Sequence, residues 1–214
     1  MKRVEPTAPI RPRLVAFDLD DTLAPSKAPL PDEIVRAVRA LLAVTQVCVI
    51  SGGQIEQFRL QVVDRLAPLP AESASRLHLM PTCGTQYWRL DGAGSLERVY
   101  AEDLPEEQKA DAVRAIEREA RRLGLWVEQT YGPAIEDRGS QITYSALGQR
   151  APLDEKRAWD PSGEKKNTLR AAVQAHLPEL EVRSGGSTSI DITRAGIDKA
   201  YGMRQLAEDR KSVV

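Results

Sequence analysis

Two short apolar runs, each ending on a polar residue, dictate most of what the N-terminal part of the chain can fold into. Residues 13–17 (Arg-Leu-Val-Ala-Phe) lead into Asp18, and residues 46–50 (Gln-Val-Cys-Val-Ile) lead into Ser51. Continuous apolar runs of this length read as strands buried on both faces of a parallel sheet. Between them, Pro31-Asp32-Glu33 opens a segment with Ile34, Val35, Val38, Leu41 and Leu42 at helical spacing. Proline and acids in that place favour a helix start. Strand, helix and strand in this order form a crossover unit, and a second helix is expected from Gly53 to Leu66. Sheets of this α/β type gather polar chemistry at the carboxyl ends of their strands.

The middle of the chain changes character. Short alternating runs at 86–90, 97–100, 125–129 and 140–146 surround helices expected near 105–123 and 163–177, the pattern of a separate α+β unit. The helix at 105–123 carries Val113, Ile116, Ala120 and Leu123 on one face, and its many charges read as a solvated face. After residue 188 come Ile190-Asp191-Ile192-Thr193 and Gly196-Ile197-Asp198-Lys199, where a last helix returns to the first unit. The expected division is therefore 1–85 and 194–214 for one domain, with 86–193 inserted between them.

Composition narrows the classes of partner. A 42% hydrophobic content supports a real core in 214 residues, and 30 basic against 31 acidic side chains leave a formal net charge of −1. No global field then draws the chain to nucleic acid or to an acidic membrane, so a small-molecule partner is expected. No apolar run approaches the roughly 20 residues needed to span a bilayer. Met1-Lys2-Arg3 leads into proline-rich sequence and not into a signal-peptide core. A cytoplasmic protein with reduced Cys48 and Cys83 is expected, and a homodimer is compatible with the sequence.

Phe17-Asp18-Leu19-Asp20-Asp21-Thr22-Leu23 places three carboxylates within four positions, directly after a strand. Their mutual repulsion is costly without a cation. Strand-end acids one residue apart can share a hard Mg²⁺, which takes oxygen ligands and keeps several waters. The metal would neutralise a phosphate and leave one carboxylate to attack it. A bare Asp-x-Asp is equally well an acidic turn with a helix cap.

The surrounding pattern resembles the haloacid-dehalogenase superfamily, whose first motif is a hydrophobic strand followed by Asp-x-Asp-x-Thr. The resemblance implies a doubly wound, Rossmann-like parallel-sheet core with an inserted α+β cap of the larger, IIB type. It implies that Asp18 forms an aspartyl-phosphate and that Asp20 protonates the leaving oxygen and later activates the acceptor. Mg²⁺ would be held by Asp18 and the main-chain carbonyl of Asp20, with Thr22 closing the motif. Ser51 in Val49-Ile50-Ser51-Gly52-Gly53 matches the second motif, whose hydroxyl holds a phosphoryl oxygen. Gly52 and Gly53 would let the backbone approach the phosphate at a helix start, which favours negative charge. Lys199 matches the third motif, a lysine that stabilises the phosphoenzyme charge.

Within the inserted unit the resemblance narrows to the eukaryotic-type phosphomannomutase branch. It rests on residues 135–150, then Arg157, and on Gly185-Gly186-Ser187-Thr188-Ser189-Ile190-Asp191. By that resemblance Arg138, Arg150 and Arg157 grip the phosphate that is not transferred, and Ser189 and Asp191 contact it and the sugar hydroxyls. Arginine suits this role because its planar fork binds phosphate bidentately. Two departures stand out: Asp21 replaces the branch's usual glycine, and Ser51 replaces a glycine-rich second motif, both in the manner of phosphatases.

The branch's fourth motif, a Gly-Asp sequence about 20 residues after the lysine, has no counterpart, and 15 residues follow Lys199. Asp209 to Val214 match a translated sequencing-adapter sequence, so the natural gene is expected to continue past Glu208 and the chain as written to be poorly active. The leading expectation is Mg²⁺-dependent hydrolysis of a phosphorylated sugar through Asp18. A hexose phosphomutase is the alternative reaction, and a non-catalytic sugar-phosphate-binding module is the alternative class.

Overall fold

A computed structural model describes residues 12–211, with side chains described as far as Glu208. The expected start at Met1-Lys2-Arg3 and the side chains of the expected foreign end, Asp209 to Val214, lie outside the described residues.

The first unit is a five-stranded sheet in the order β1-β2-β3-β4-β5. Strand β1 (Leu14–Asp18), helix α1 (Asp32–Leu42), β2 (Gln46–Ile50) and β3 (Leu77–Met80) build its parallel part. Helix α1 starts after Pro31 with Asp32 and Glu33 in its first turn and buries Val38 and Leu42. Between β2 and β3 the chain forms α2 (Ile55–Phe58), a π-helical turn (Arg59–Val63), α3 (Asp64–Leu66) and α4 (Ala71–Ala74). Val47 and Val49 of β2, with Leu77 and Leu79 of β3, are fully buried against Phe58, Val62 and Leu66. Each such side chain contributes about 1.5–3 kcal/mol by leaving water. Strand β1 has β2 as its sheet neighbour and is the outer strand among the described residues, with an exposed Ala16.

The inserted unit does not begin at residue 86. Strands β4 (Gln86–Leu90) and β5 (Leu96–Ala101) join the first sheet antiparallel, β4 against β3 through Leu79 and Trp88. Tyr87 is the cause: it is buried beside Cys48, Ile50 and Met80, so its strand extends the first core. The core sheet is consequently mixed and not purely parallel.

The second unit follows with α5 (Glu106–Arg122), β6 (Ile135–Asp137), β7 (Ile142–Ser145), α6 (Leu153–Trp159), α7 (Glu164–Gln174), β8 (Leu180–Ser184) and β9 (Ser189–Arg194). Its strands form an antiparallel sheet ordered β6-β7-β9-β8, and Ile116 and Ala120 of α5 pack with Leu169 and Val173 of α7 against Ile142, Tyr144 and Ile192. No strand forms at 125–129. Gly124, at φ +68°, closes α5, and the backbone N–H groups of Leu125 and Trp126 turn back to the Ala120 carbonyl, where a sheet ladder cannot use them. Trp126 instead stacks on Tyr144. Helix α8 (Lys199–Lys211) returns to the first unit and buries Leu206 in the cluster around Tyr87. No helix among the described residues is long and apolar enough to cross a membrane.

Candidate active site

The carboxyl ends of β1 and β2 lie side by side, with Asp18 in register with Ile50 and Ser51 one residue beyond. Asp18 accepts a hydrogen bond from the Leu19 N–H at 2.8 Å through Oδ1, while its Oδ2 stands 2.5 Å from the Lys199 ammonium. Lys199 is the first residue of α8, and two glycines bring that helix in. Gly84, at φ +88°, and Gly202 are so close that a Cβ on Gly84 would lie 2.3 Å from the Gly202 Cα. Backbone touches backbone there, so α8 sits on the Thr82–Gly84 turn and its first residue reaches Asp18.

Asp20 follows in a tight loop in which Asp21, at φ +57°, donates its N–H to the Ala24 carbonyl. Its carboxylate accepts from the Lys27 N–H at 2.8 Å and from the Gln57 amide at 2.9 and 3.2 Å. Thr22 is exposed and lies outside the lining of the cavity. Ser51 is buried, its Oγ accepts from the Gly53 N–H, and its carbonyl accepts from the Cys83 N–H, so a compact turn shapes the floor. Burial pushes the Cys83 thiol up to about 11, which leaves a poor nucleophile in the floor.

A cavity of about 810 Å³ opens between this floor and the second unit, within the size range of small-molecule sites. Arg150, Arg157, Ser189 and Asp191 line it opposite Asp18, Asp20, Ser51, Gly52, Gly53 and Lys199. Arg150 and Arg157 are exposed, on and beside α6, a helix that buries no residue. Arg138 also lines the cavity but is committed elsewhere: its side chain is 8% exposed, pairs with Glu136 through two nitrogens, and donates to the Gly52 carbonyl at 2.9 Å. It ties the second unit to the turn after Ser51. Asp191 is half-buried as a residue, and loss of water raises its carboxyl above the usual carboxylate range. Hydrogen bonds from Thr143 and Gln141 and the charge of Arg138 act the other way.

Sequence reasoning missed Lys27, Gln57 and Lys156. Lys27 as a whole residue is exposed, yet its ammonium crosses between the units and donates to the carbonyl and side-chain oxygens of Gln149 at 3.0 and 2.7 Å. Loss of water, aided by the charges of Lys156 and Arg138, lowers its pKa to about 8. Lys156 donates to the same Gln149 carbonyl. No spacing in the chain marks these residues: the meeting of the two units brings Lys27 to the Gln149 carbonyl that Lys156 also uses, and the loop after β1 brings Asp20 to Gln57.

The oxygen-only donor set of Asp18 and Asp20 fits a Mg²⁺ that keeps waters and takes phosphate oxygens. Among the described residues no group of three His, Cys, Asp or Glu is placed to form an all-protein metal cage.

No family model matches the chain. It is 23% identical over 198 residues to a phosphomannomutase of Encephalitozoon cuniculi, covering 90% of this chain and 74% of that protein. With a phosphomannomutase of Saccharomyces cerevisiae it shares 25% over 206 residues, 92% of this chain and 76% of that protein. Among solved structures, a Plasmodium falciparum IMP-nucleotidase superposes with a TM-score of 0.68 at 14% identity; the match takes in 92% of this chain and 56% of that one. A haloacid dehalogenase-like hydrolase from Bacteroides thetaiotaomicron gives 0.63 at 16%, over 94% of this chain and 78% of that one. In fold the chain is similar to a haloacid dehalogenase-like hydrolase and an IMP-nucleotidase, and in sequence it resembles phosphomannomutases.

Proposed function

We propose that the protein transfers the phosphoryl group of a phosphorylated sugar to water through Asp18. The observation that carries this reading is the Lys199 ammonium 2.5 Å from the Asp18 carboxylate, beside the buried Ser51 turn and under a cavity lined by arginines. An Asp18 oxygen attacks phosphorus while the bond from phosphorus to the sugar oxygen breaks, and that oxygen takes the proton of Asp20. In the second step Asp20 removes a proton from water, the water oxygen attacks phosphorus, and the bond to Asp18 breaks. Lys199 offsets the negative charge that collects on Asp18 and the phosphoryl oxygens. Ser51 and the backbone N–H groups of the following turn receive those oxygens. Mg²⁺, held by the Asp18 carboxylate and the Asp20 main-chain carbonyl, would neutralise the phosphate before attack.

On the opposite wall, Arg150 and Arg157 supply free charge for the remote part of the substrate, and Ser189 and Asp191 supply hydrogen-bonding groups for sugar hydroxyls. Arg138, Gly52 and Gly53 act through the shape of the floor and its link to the second unit. The reading takes a small phosphorylated sugar as the partner, without nucleic acid or membrane, in a cytoplasmic protein. A phosphomutase reading is favoured by both curated relatives being phosphomannomutases. In it the sugar turns over and recovers the phosphoryl group on another hydroxyl.

The test is a time course with hexose 1- and 6-phosphates and, for comparison, IMP, with Mg²⁺ present or chelated. Mg²⁺-dependent release of inorganic phosphate from a hexose phosphate is expected. Interconversion without release would replace hydrolysis by mutase chemistry, a strong preference for IMP would overturn the sugar assignment, and binding without turnover would overturn catalysis.

A further inference from the structure

The carboxylate of Asp20 is held more firmly than a freely rotating acid/base would be. The Gln57 amide nitrogen lies 2.9 Å from one of its oxygens and 3.2 Å from the other, while the Lys27 backbone N–H adds a third contact at 2.8 Å. A carboxylate only accepts hydrogen bonds, so the amide nitrogen must face it.

Gln57 reaches Asp20 because Gly53 has no side chain. A Cβ on Gly53 would lie 2.5 Å from the Gln57 Oε1 and 2.8 Å from its Cδ, so any side chain there would push the amide away from Asp20. The Gly53 backbone is not in the left-handed region, so φ does not require glycine at this position. The turn that follows Ser51 therefore contributes to two tasks: it faces the phosphate, and it leaves room for the group that orients the acid.

We propose that Gln57 is the positioning residue of Asp20, seated by the missing side chain of Gly53, and that it aims Asp20 at the oxygen of the leaving group. The proposal rests on the reading of Asp20 as acid/base. As the phosphorus–oxygen bond breaks, its electron pair goes to the leaving oxygen, and the Asp20 proton must arrive at that oxygen along one direction. An alcohol leaves poorly without the proton, whereas 4-nitrophenolate leaves without it. Misaiming Asp20 therefore penalises the first kind of substrate selectively.

The experiment compares kcat/KM, which reports steps up to loss of the leaving group, for a hexose 6-phosphate and for 4-nitrophenyl phosphate. Gln57→Leu is expected to lower the hexose-phosphate value by about tenfold to a hundredfold while the aryl value stays within roughly twofold, part of the range typical of general acid catalysis. Gly53→Ala is expected to change the ratio of the two values in the same direction. The double variant should go no further than Gln57→Leu alone, as required of two changes acting through one contact.

Equal losses on both esters, or additive changes in the ratio, would overturn the positioning role. If the unsubstituted protein turns over neither ester, the phosphoryl-transfer reading fails by itself. The contact is then read from the Gln57 side-chain amide resonances, which must move in Asp20→Ala; unmoved resonances overturn the contact independently of activity.

Discussion

On the floor of the cavity, the groups proposed to react stand at the ends of regular elements: Asp18 closes β1, Ser51 follows β2, and Lys199 opens α8. On the facing wall, Arg150 and Arg157 stand on or beside a short helix that buries nothing, and both are exposed. Floor positions are fixed by backbone hydrogen bonds, sheet register and the contact of Gly84 with Gly202. Wall positions depend on long side chains with rotamer freedom still to lose. In the proposed function, chemistry that tolerates little displacement thus falls where the fold is stiff, and recognition that must fit a substrate falls where it can adjust. Arg138 and Lys27 cross between the two, each anchored on a carbonyl of the other side.

The sharpest way to break this contrast is at the floor. Asp18→Asn should lower turnover of every phosphate ester by roughly 10⁴-fold or more, since an amide neither attacks nor ligates as a carboxylate does. Its thermal midpoint should stay close to that of the parent, and steady-state kinetics beside a melting curve check both. Lys199→Met should follow with a loss in kcat on the order of 10²–10³, comparable with removal of other preorganised charge stabilisers. Saturation kinetics should show the loss in kcat more than in KM.

Substitutions on the wall should act on one substrate and spare another. Arg150→Ala or Arg157→Ala should each cost hexose-phosphate kcat/KM about tenfold to a hundredfold, the value of one charged hydrogen bond, and leave 4-nitrophenyl phosphate nearly untouched. Arg138→Ala should instead weaken both substrates alike, because it unpairs Glu136 and leaves the Gly52 carbonyl with the longer hydrogen bond from Gln141. Parallel kinetics on the two esters would show whether the three arginines divide in this way. The smallest effect on activity is expected of Gly202→Ala. A Cβ there would stand 2.7 Å from the Cys83 carbonyl oxygen and 2.9 Å from the Gly84 Cα, displacing α8 and with it Lys199. Overpacking of this kind costs about 1–3 kcal/mol, readable as a lower denaturant midpoint with a modest fall in kcat.

These expectations follow the line between what the sequence discloses and what it hides. The residues from β1 to Ser51 are legible because two apolar strand runs and the amphipathic helix between them carry their own patterns, although β1, expected to be buried on both faces, is the outer strand among the described residues and buries none of its side chains fully. Lys199 is legible through its order after the other motifs. The boundary at residue 86 is not, because an alternating run announces a strand without naming its sheet; burial of Tyr87 in the first core decides the matter. The run at 125–129 fails for a related reason, since its first backbone donors are taken by the end of α5. Gln57 looks in sequence like one more polar residue on a helix, and Gly53 like a phosphate-turn glycine. Only their distances to Asp20 and to each other tie them to the proposed acid/base group.

The central claim is that phosphate passes through Asp18. Acid quenching of the protein during turnover of a hexose phosphate, followed by peptide mapping by mass spectrometry, tests it most directly. Phosphate should appear on the peptide that contains Asp18, labile to base and absent from the Asp18→Asn protein. Turnover with no phosphorylated peptide, or phosphate carried by another residue, would contradict the account.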